Sequence, residues 1–375
     1  MIPFLDLGLS TRELRDEIQQ AMLRVADSGK YIFGEEVAAF ESEFANYCGA
    51  AHCVGVGNGL DAITLMLRGL EIGAGNEVIV AANTYIATWL GVTAAGAVPV
   101  PVEPDVTSCN LDPRRVVQAI TPRTRAILAT HLYGRSADIA ALEEISRNHG
   151  VLLLFDSAQA HGVPFAGIAA AFSFYPTKNL GALGDAGAVV TGDAQLAARI
   201  RTLGNYGSVQ KYQHQRLGVN SRMDSLQAAI LRAKLPHLDR WNRRRSEIAR
   251  CYSESLADIP VLRLPSRGSG FATDFASGQR HVWHLFTVRH PLRDDLAIRL
   301  KALGVDTLVH YPEPPHLSGA YRTLGFRPGD FPITEALASS VLSLPLHPHL
   351  DDQEVQQVIE STRAACGARA YGAGR

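Results

Sequence analysis

Lysine is scarce in this sequence. Of its 375 residues, 36 are basic and 37 acidic, and only five of the basic ones are lysines: Lys30, Lys178, Lys211, Lys234 and Lys301. The formal net charge of −1 gives no general attraction for nucleic acid phosphates or anionic lipid, and no long basic run compensates for this. We therefore expect no nucleic acid partner.

Cysteines and long apolar runs are also few. The five cysteines are widely spaced and never form a CxxC pair, so neither a disulfide framework nor a metal site is predicted. No apolar run reaches the roughly 18 to 20 residues of a membrane-spanning helix. The first residues lack the basic start and apolar core of a signal peptide. These absences predict a cytoplasmic protein with no membrane association.

Short Val/Ile/Ala-rich runs alternate with longer helical patterns from about residue 53 onward. The runs cover residues 53–56, 77–81, 97–102, 125–130, 151–155, 170–174 and 187–191. Nearly continuous apolar strands separated by helices are typical of a sheet that helices cover on both faces. The sequence therefore predicts an α/β fold with a mostly parallel, seven-stranded sheet.

Other patterns flank these runs. Helical spacing predicts helices over residues 8–28 and 35–47, and a long one over 225–256 with a break near Pro236. The polar segment 204–224 has no regular period, which favours a functional loop or an interface arm. We expect a large domain over residues 1–240 and a smaller C-terminal α/β domain over 241–375.

Lys178 is the lysine whose surroundings suggest chemistry. It follows the apolar strand pattern AAFSFYPT and precedes a glycine-bearing turn. An amine in such apolar surroundings has a lowered pKa and can form a Schiff base. The alternative is a structural ion pair with Asp185. Lys234 and Lys301 lie within helical patterns and are expected on solvated helix faces.

A lysine that binds pyridoxal phosphate needs a carboxylate for the pyridine nitrogen and hydrogen-bond donors for the phosphate. Asp156 directly follows the strand pattern VLLLF, where α/β sheets place their ligands, although a turn cap is an equally good interpretation. The segment GVGNGLDAI supplies backbone N–H groups at a helix start, and Ser173 can add a hydroxyl. Leu60 stands where a dinucleotide fingerprint has its third glycine, which weakens the hypothesis of an oxidoreductase.

Aromatic residues complete the pattern. Tyr85 and Trp89 are four residues apart, so they share a face of a predicted helix that follows strand 77–81 and can cover a cofactor ring. Core packing is the alternative for such a pair. Lysine, carboxylate, phosphate loop and aromatic face all fall at predicted strand ends, and this conjunction favours a pyridoxal phosphate site.

The sequence resembles the nucleotide-sugar aminotransferases of the DegT/DnrJ type, which are fold-type I enzymes. The resemblance covers nearly the whole chain and is carried by GNGLDAI, EVIVAANTYIATW, FDSAQAHG, FSFYPTKNLGALGDAGAVVT, NYGSVQKY, GVNSRMDSLQAAIL and HYPEPPHLS. It implies the large and small domains of fold-type I, pyridoxal 5'-phosphate as cofactor, and pyridoxamine phosphate as the intermediate form.

The resemblance also implies a role for individual residues. Lys178 and Asp156 are the catalytic pair, and the cofactor-binding residues are Gly59, Leu60, Asp61, Tyr85, Asp156, Gln159, Ser173, Lys178 and Asn220. Asn220 is expected to reach the cofactor phosphate of a second subunit, so a homodimer with shared active sites follows. Many relatives have threonine at the position of Leu60 and arginine at that of Gly204, and the segment 162–171 is shorter than usual.

The implied substrates are a nucleotide sugar and L-glutamate. TYIATW, FSFYP and HYPEPPH look most like enzymes that aminate C3 of a dTDP-3-keto-6-deoxyhexose. Tyr175 and His310 are then nearest the sugar, and Lys211 is a candidate for the diphosphate, with a solvated loop lysine as the alternative. Amination at C4 and a non-catalytic regulator that keeps the fold are the competing hypotheses.

Overall fold

A seven-stranded sheet organises the larger part of the molecule. The computed structural model describes residues 1–265 and 280–367. The strands are β1 His52–Val56, β2 Glu77–Ala81, β3 Val98–Val102, β4 Thr124–Thr130, β5 Leu152–Asp156, β6 Ala169–Ser173 and β7 Gly187–Thr191. Their order is β1-β7-β6-β5-β4-β2-β3; β2 to β6 pair in parallel, and β7 is antiparallel to both of its neighbours. The predicted mostly parallel sheet is confirmed, and each predicted strand limit falls within one residue of the observed one.

Helices cover both faces of the sheet. Those of the described residues are α1 Leu7–Glu13, α2 Arg15–Ser28, α3 Glu35–Cys48, α4 Gly59–Gly69, α5 Ile86–Ala94, α6 Pro113–Ala119, α7 Ile139–His149, α8 Ala194–Gly204, α9 Ser225–Lys234, α10 Leu238–Ser255, α11 Arg293–Ala302, α12 Pro332–Ser340 and α13 Asp352–Gly367. Successive residues of a strand point to opposite faces of the sheet. Leu154 therefore packs in an apolar cluster with α4, α5 and α8. The next residue, Phe155, packs in a second cluster with α3 and α9 on the other face.

The predicted single helix over 8–28 is wrong, because the chain breaks at Leu14. This residue has a non-helical backbone (φ −111°, ψ 26°) between α1 and α2. Its side chain is buried in a small cluster with Ile18, Ile230 and Trp241. The break falls where the chain packs on α9 and α10. The predicted interruption near Pro236 is confirmed as a 3₁₀ turn, Leu235–His237, between α9 and α10.

The C-terminal part of the described chain has its own apolar cluster. It contains an antiparallel pair, β10 Phe286–Arg289 and β11 Val341–Leu344, together with faces of α10, α11 and α13. Ile2 packs in this cluster and bridges to Val305, so the N-terminal segment is joined to the C-terminal part. The domain boundary at 240/241, which lies inside α10, stays a prediction.

The polar segment 204–224 carries a short antiparallel hairpin, β8 Ser208–Gln210 with β9 Gln213–His214. Tyr212 at its tip is 83% exposed, and Asn220 pairs with Asn205 at the base. The hairpin therefore projects from the body of the protein, as an arm does. Among the described residues, no helix combines the length and the apolar character needed to span a membrane.

Candidate active site

The carboxyl ends of three parallel strands define the site. Asp156 is the last residue of β5, and the sheet register places it beside Thr130 of β4 and Ala171 of β6. Ser173 ends β6 on the same edge. Parallel strands present their carboxyl ends together, so the polar residues that follow them converge here.

Asp156 is buried, with 5% of its surface exposed. Thr88 Oγ1 donates a hydrogen bond of 2.7 Å to Oδ2, and the backbone N–H of Ala158 donates one of 3.1 Å to Oδ1. Burial raises the pKa of Asp156, while these two donors and the charge of Lys178 oppose the rise. The Ala158 bond is the turn cap that the sequence suggested. A carboxylate has about four acceptor positions, so Asp156 keeps capacity for a further N–H donor.

A chain of threonine hydroxyls supports Asp156. Thr88 Oγ1 and Thr84 Oγ1 are 2.9 Å apart, and Thr84 Oγ1 is 3.1 Å from Thr130 Oγ1. All three side chains are buried. The sequence interpretation missed them, because Thr84 precedes α5 and Thr130 belongs to another strand, so no local spacing indicates that the three hydroxyls meet.

Lys178 lies in the turn that follows β6. Its backbone N–H donates to Tyr175 O at 2.9 Å, which closes the turn. Burial lowers the pKa of Lys178 to about 8, and the Asp156 charge opposes this. The ion pairs of the described residues do not include Lys178, and Asp185 is exposed, so the predicted alternative of a Lys178–Asp185 pair finds no support. At pH 7 about one tenth of such an amine is neutral, far more than for an ordinary lysine.

The start of α4 forms a cradle beside Ser173. Asn58 caps the helix by accepting from Asp61 N at 2.9 Å. A Cβ atom on Gly59 would lie 2.6 Å from Ser173 Cβ, so only glycine lets the helix start approach this strand. Ser221 Oγ accepts from Gly57 N at 3.0 Å and donates to Asp61 Oδ2 at 2.6 Å, which fixes the loop.

The cradle suits an oxyanion. Free N–H groups at a helix start and a nearby serine hydroxyl are the donors that bind phosphate. Leu60 offers backbone groups here and no hydroxyl, whereas the resemblance implies a threonine hydroxyl at this position in many relatives. Ser221 was not identified from the sequence, because its contact with Asp61 joins residues far apart in the chain.

Tyr85 and Tyr311 form an aromatic wall. Tyr85 precedes α5 and is 51% exposed, and its ring centroid lies 4.9 Å from that of Tyr311. Gln159 Nε2 donates to Tyr311 Oη at 2.9 Å, while Gln159 Oε1 accepts from Tyr133 N at 2.6 Å. Gln159 thus joins the sheet edge to the segment around 310. The expectation that Trp89 shares a face with Tyr85 is wrong, because Trp89 is fully buried and donates to Ala81 O.

Of the predicted substrate residues, His310 and Tyr175 lie near this centre and Lys211 does not. His310 Nδ1 is hydrogen-bonded to Ser343 Oγ at 2.9 Å, and burial lowers its pKa to about 4, with the Lys178 charge adding to the effect. Tyr175 is half exposed, two residues after Ser173.

Lys211 is on the hairpin, with Nζ over the Tyr212 ring. Asn220 is exposed beside Ser221.

A buried amide network holds the chain after Lys178. Asn179 Nδ2 donates to Asn242 Oδ1 and to Val282 O, both at 2.9 Å. The Asn179 Oδ1 atom is 3.0 Å from His284 Nδ1, and burial holds the pKa of His284 well below its usual value. The sequence interpretation missed this network, which ties the lysine turn to α10 and to the C-terminal part.

The residues present fit pyridoxal phosphate. A buried carboxylate with spare acceptor capacity, a lysine of lowered pKa, a cradle that a Cβ atom would fill and an exposed aromatic wall lie along one edge of the sheet. These are the groups that hold the pyridine nitrogen, the aldehyde carbon, the phosphate and the ring face of this cofactor.

Comparison with known proteins identifies the class. The model of the DegT/DnrJ/EryC1/StrS aminotransferase family matches residues 12–363, and the chain belongs to this family. The dTDP-3-amino-3,4,6-trideoxy-alpha-D-glucose transaminase of Streptomyces venezuelae is 52% identical over 96% of this chain and 95% of that protein. The erythromycin biosynthesis sensory transduction protein EryC1 of Saccharopolyspora erythraea is 54% identical over 97% of this chain and 99% of its own.

Solved structures agree with this assignment. DesV of S. venezuelae, in complex with a ketimine intermediate, superposes with a TM-score of 0.94 at 51% identity, over 98% of this chain and 99% of that chain. NtdA of Bacillus subtilis, with pyridoxamine phosphate bound, superposes with a TM-score of 0.91 at 30% identity, over 98% of this chain and 85% of that chain. The predictions of the family, of the α/β aminotransferase fold, of transaminase activity and of the pyridoxal phosphate cofactor are thereby confirmed.

Proposed function

We propose that this protein transfers the amino group of L-glutamate to C3 of a dTDP-linked 3-keto-6-deoxyhexose. The observation that carries the proposal is that Lys178, whose pKa is lowered, and the buried carboxylate of Asp156 lie close enough for the charge of each to affect the pKa of the other. Support for the sugar comes from the relative in S. venezuelae, whose name specifies a 3-amino dTDP-sugar.

The cofactor, when bound, supplies an electron sink that stabilises negative charge at the carbon losing its proton. Asp156 would hold the ring nitrogen and keep it protonated, because its carboxylate has acceptor capacity left beside the bonds from Thr88 and Ala158. Lys178 would hold the aldehyde carbon of the cofactor, and its neutral amine would accept the proton that leaves Cα of the donor. Gly59, Leu60, Asp61 and Ser173 hold the phosphate, and Tyr85 and Gln159 position the ring.

On the substrate side, Tyr175 and His310 position the sugar. His310 is neutral near pH 7 because of its lowered pKa, so it acts as a hydrogen-bonding group and adds no charge. Lys211 is assigned to the diphosphate of the nucleotide. It lies on an exposed hairpin away from the other residues of its own chain's site, so it would serve the site of a neighbouring subunit.

The working unit is a cytoplasmic homodimer with shared sites, in which Asn220 reaches the partner's phosphate cradle. Exposed apolar side chains at Tyr31, Phe33 and Leu217 support a covered surface. A mixture of Lys178→Ala and Asn220→Ala chains tests this. After exchange of equal amounts, about half of the dimers are mixed, and each mixed dimer contains one intact site out of two. The mixture should therefore recover roughly a quarter of the wild-type rate. No recovery in a mixture shown to exchange subunits would contradict sharing.

The absorption spectrum tests the chemistry. Protein saturated with pyridoxal phosphate should show the visible band of lysine-bound cofactor, and L-glutamate should bleach it to the pyridoxamine form. Incubation with candidate keto sugars, followed by NMR of the product, then distinguishes amination at C3 from C4. A folded protein that gives no band would favour the regulator, a hypothesis for which the sensory transduction relative is the supporting observation.

A further inference from the structure

A cavity adjoins Lys178 on the side of the N-terminal segment. Its volume is about 40 Å³, and its walls come from residues 5–10, the lysine turn, α10 and residues 347–349. The polar and aromatic lining includes Asp6, Lys178, Lys234, Trp241, Arg245 and His347. Apart from Lys178, none of these residues takes part in the proposed cofactor site.

Two of the lining residues are buried cations. Lys234 and Arg245 are each only 4% exposed, which corrects the expectation that Lys234 lies on a solvated helix face. Lys234 Nζ donates to Gly181 O, and Arg245 Nη1 to Leu346 O, both at 2.8 Å. Within residues 1–265 and 280–367 neither forms an ion pair, and Arg245 Nε has no hydrogen-bond partner.

His347 adds unsatisfied donor capacity. It is 2% exposed, and across the described part of the chain neither of its ring nitrogens finds a hydrogen-bond partner. Asp6 is the acidic residue of the lining, but its carboxylate already accepts from Gly8 N at 2.7 Å and from Arg12 Nη2 at 3.1 Å. Buried cations without counter-charge are costly, and guanidinium, ammonium and imidazole N–H groups together match an oxyanion.

We propose that this cavity binds a small oxyanion, through Arg245, Lys234 and His347. The size of the cavity restricts the ligand to a carboxylate group or an inorganic oxyanion such as phosphate. Two sources have this chemistry: the side-chain carboxylate of the amino donor, held next to Lys178, and a free anion. Anion binding itself does not depend on the proposed transamination; only the first source does.

The test uses the protein saturated with pyridoxal phosphate, so that the phosphate cradle is filled. Sodium phosphate, formate and glutarate are titrated at constant ionic strength, with the thermal midpoint and tryptophan fluorescence as readouts, since Trp241 lines the cavity. Glutarate is L-glutamate without the amine, so it binds without reacting. His347→Leu is the variant, and His349→Gln the matched control, because His349 lines the same cavity while its ring is hydrogen-bonded to Glu13.

We expect saturable binding that is about tenfold weaker in His347→Leu, as the loss of one charge-assisted hydrogen bond implies, and unchanged in the control. The anion-free thermal midpoint of His347→Leu should equal or exceed that of the wild type, since leucine removes an unsatisfied polar group. Weaker binding therefore does not reflect misfolding. A response to phosphate identifies a free inorganic anion. A response to the carboxylates without phosphate, together with a KM for L-glutamate that is raised in His347→Leu and an unchanged KM for the sugar, identifies the donor.

Absence of saturable binding to the wild type, or equal binding to His347→Leu, overturns the inference. Failure of the proposed function would look different. The L-glutamate spectral change would be missing while phosphate or formate binding and its sensitivity to His347→Leu remained.

Discussion

Removing the Thr88 hydroxyl tests how the protein keeps Asp156 ionised in an apolar interior. Thr88→Val preserves the shape of the side chain but deletes the 2.7 Å donor to Oδ2. The Ala158 N–H bond to Oδ1 remains. A buried hydrogen bond to a charged group contributes about 1.5–3 kcal/mol, so we expect the cofactor-free variant to lose about 2 kcal/mol of unfolding free energy near pH 8. Unfolding by urea can be followed through Trp89, which lies on the same helix.

The loss should depend on pH in a defined direction. Burial raises the folded-state pKa of Asp156 above its unfolded value, so the Asp156 contribution to stability is present at low pH and is lost as pH rises through the folded-state pKa. Valine removes an interaction that lowers this pKa and so raises it further. The deficit of Thr88→Val should therefore grow with pH and shrink as Asp156 becomes protonated.

Two controls separate the carboxylate bond from the rest of the hydroxyl chain. Thr88→Ser keeps the donor and should behave like the wild type. Thr84→Val removes only neutral hydroxyl contacts, so its deficit should be smaller and independent of pH. A pH-independent deficit in Thr88→Val, or a larger one in Thr84→Val, would refute the assignment of Thr88 as the positioning partner of Asp156.

Three further substitutions probe the site. Lys178→Ala should abolish turnover while some cofactor still binds, measured by steady-state rate and absorbance; a near-normal rate would remove Lys178 from its role. Gly59→Ala should weaken cofactor affinity at least about tenfold by displacing Ser173, whereas Gly192→Ala, which meets no atom within 4 Å, should not; equal titration curves would argue against the cradle. Gln159→Leu leaves Tyr133 N without its acceptor and should cost about 1–3 kcal/mol of unfolding free energy, and an unchanged urea midpoint would count against this.

Local patterns were sufficient to predict the sheet and to propose the two central residues of the candidate site. In the sequence, strands that are buried on both faces appear as short apolar runs, and turns mark where these runs begin and end. Asp156 and Lys178 were identified because they follow such runs, where polar residues are uncommon. These positions depend on sequence neighbours alone, which is why they could be predicted.

Contacts between distant segments could not be predicted in the same way. The hydrogen bond between Gln159 and Tyr311 joins residues that are 152 positions apart in the chain, and the one between Ser221 and Asp61 joins residues that are 160 positions apart. Trp89 has the helical spacing expected of a partner of Tyr85, yet the packing of α5 turns it into the core. The burial of Lys234 could not be predicted for the same reason. A helical pattern indicates which residues share a face, but not which part of the molecule covers that face.

The histidines near Lys178 do not titrate close to neutrality, and this assigns the pH dependence of cofactor binding to the lysine. Burial lowers the pKa of His161 to about 3 and that of His310 to about 4, whereas the pKa of Lys178 is about 8. The neutral amine is the reactive form, so the rate at which cofactor-free protein takes up pyridoxal phosphate should rise with pH to a midpoint near 8, with about a tenth of the plateau rate at pH 7. Stopped-flow absorbance measures this rate, and His310→Gln should leave the midpoint in place. A midpoint near 10, the value of a solvated lysine, would mean that the amine is not desolvated and that its reactivity comes from another source.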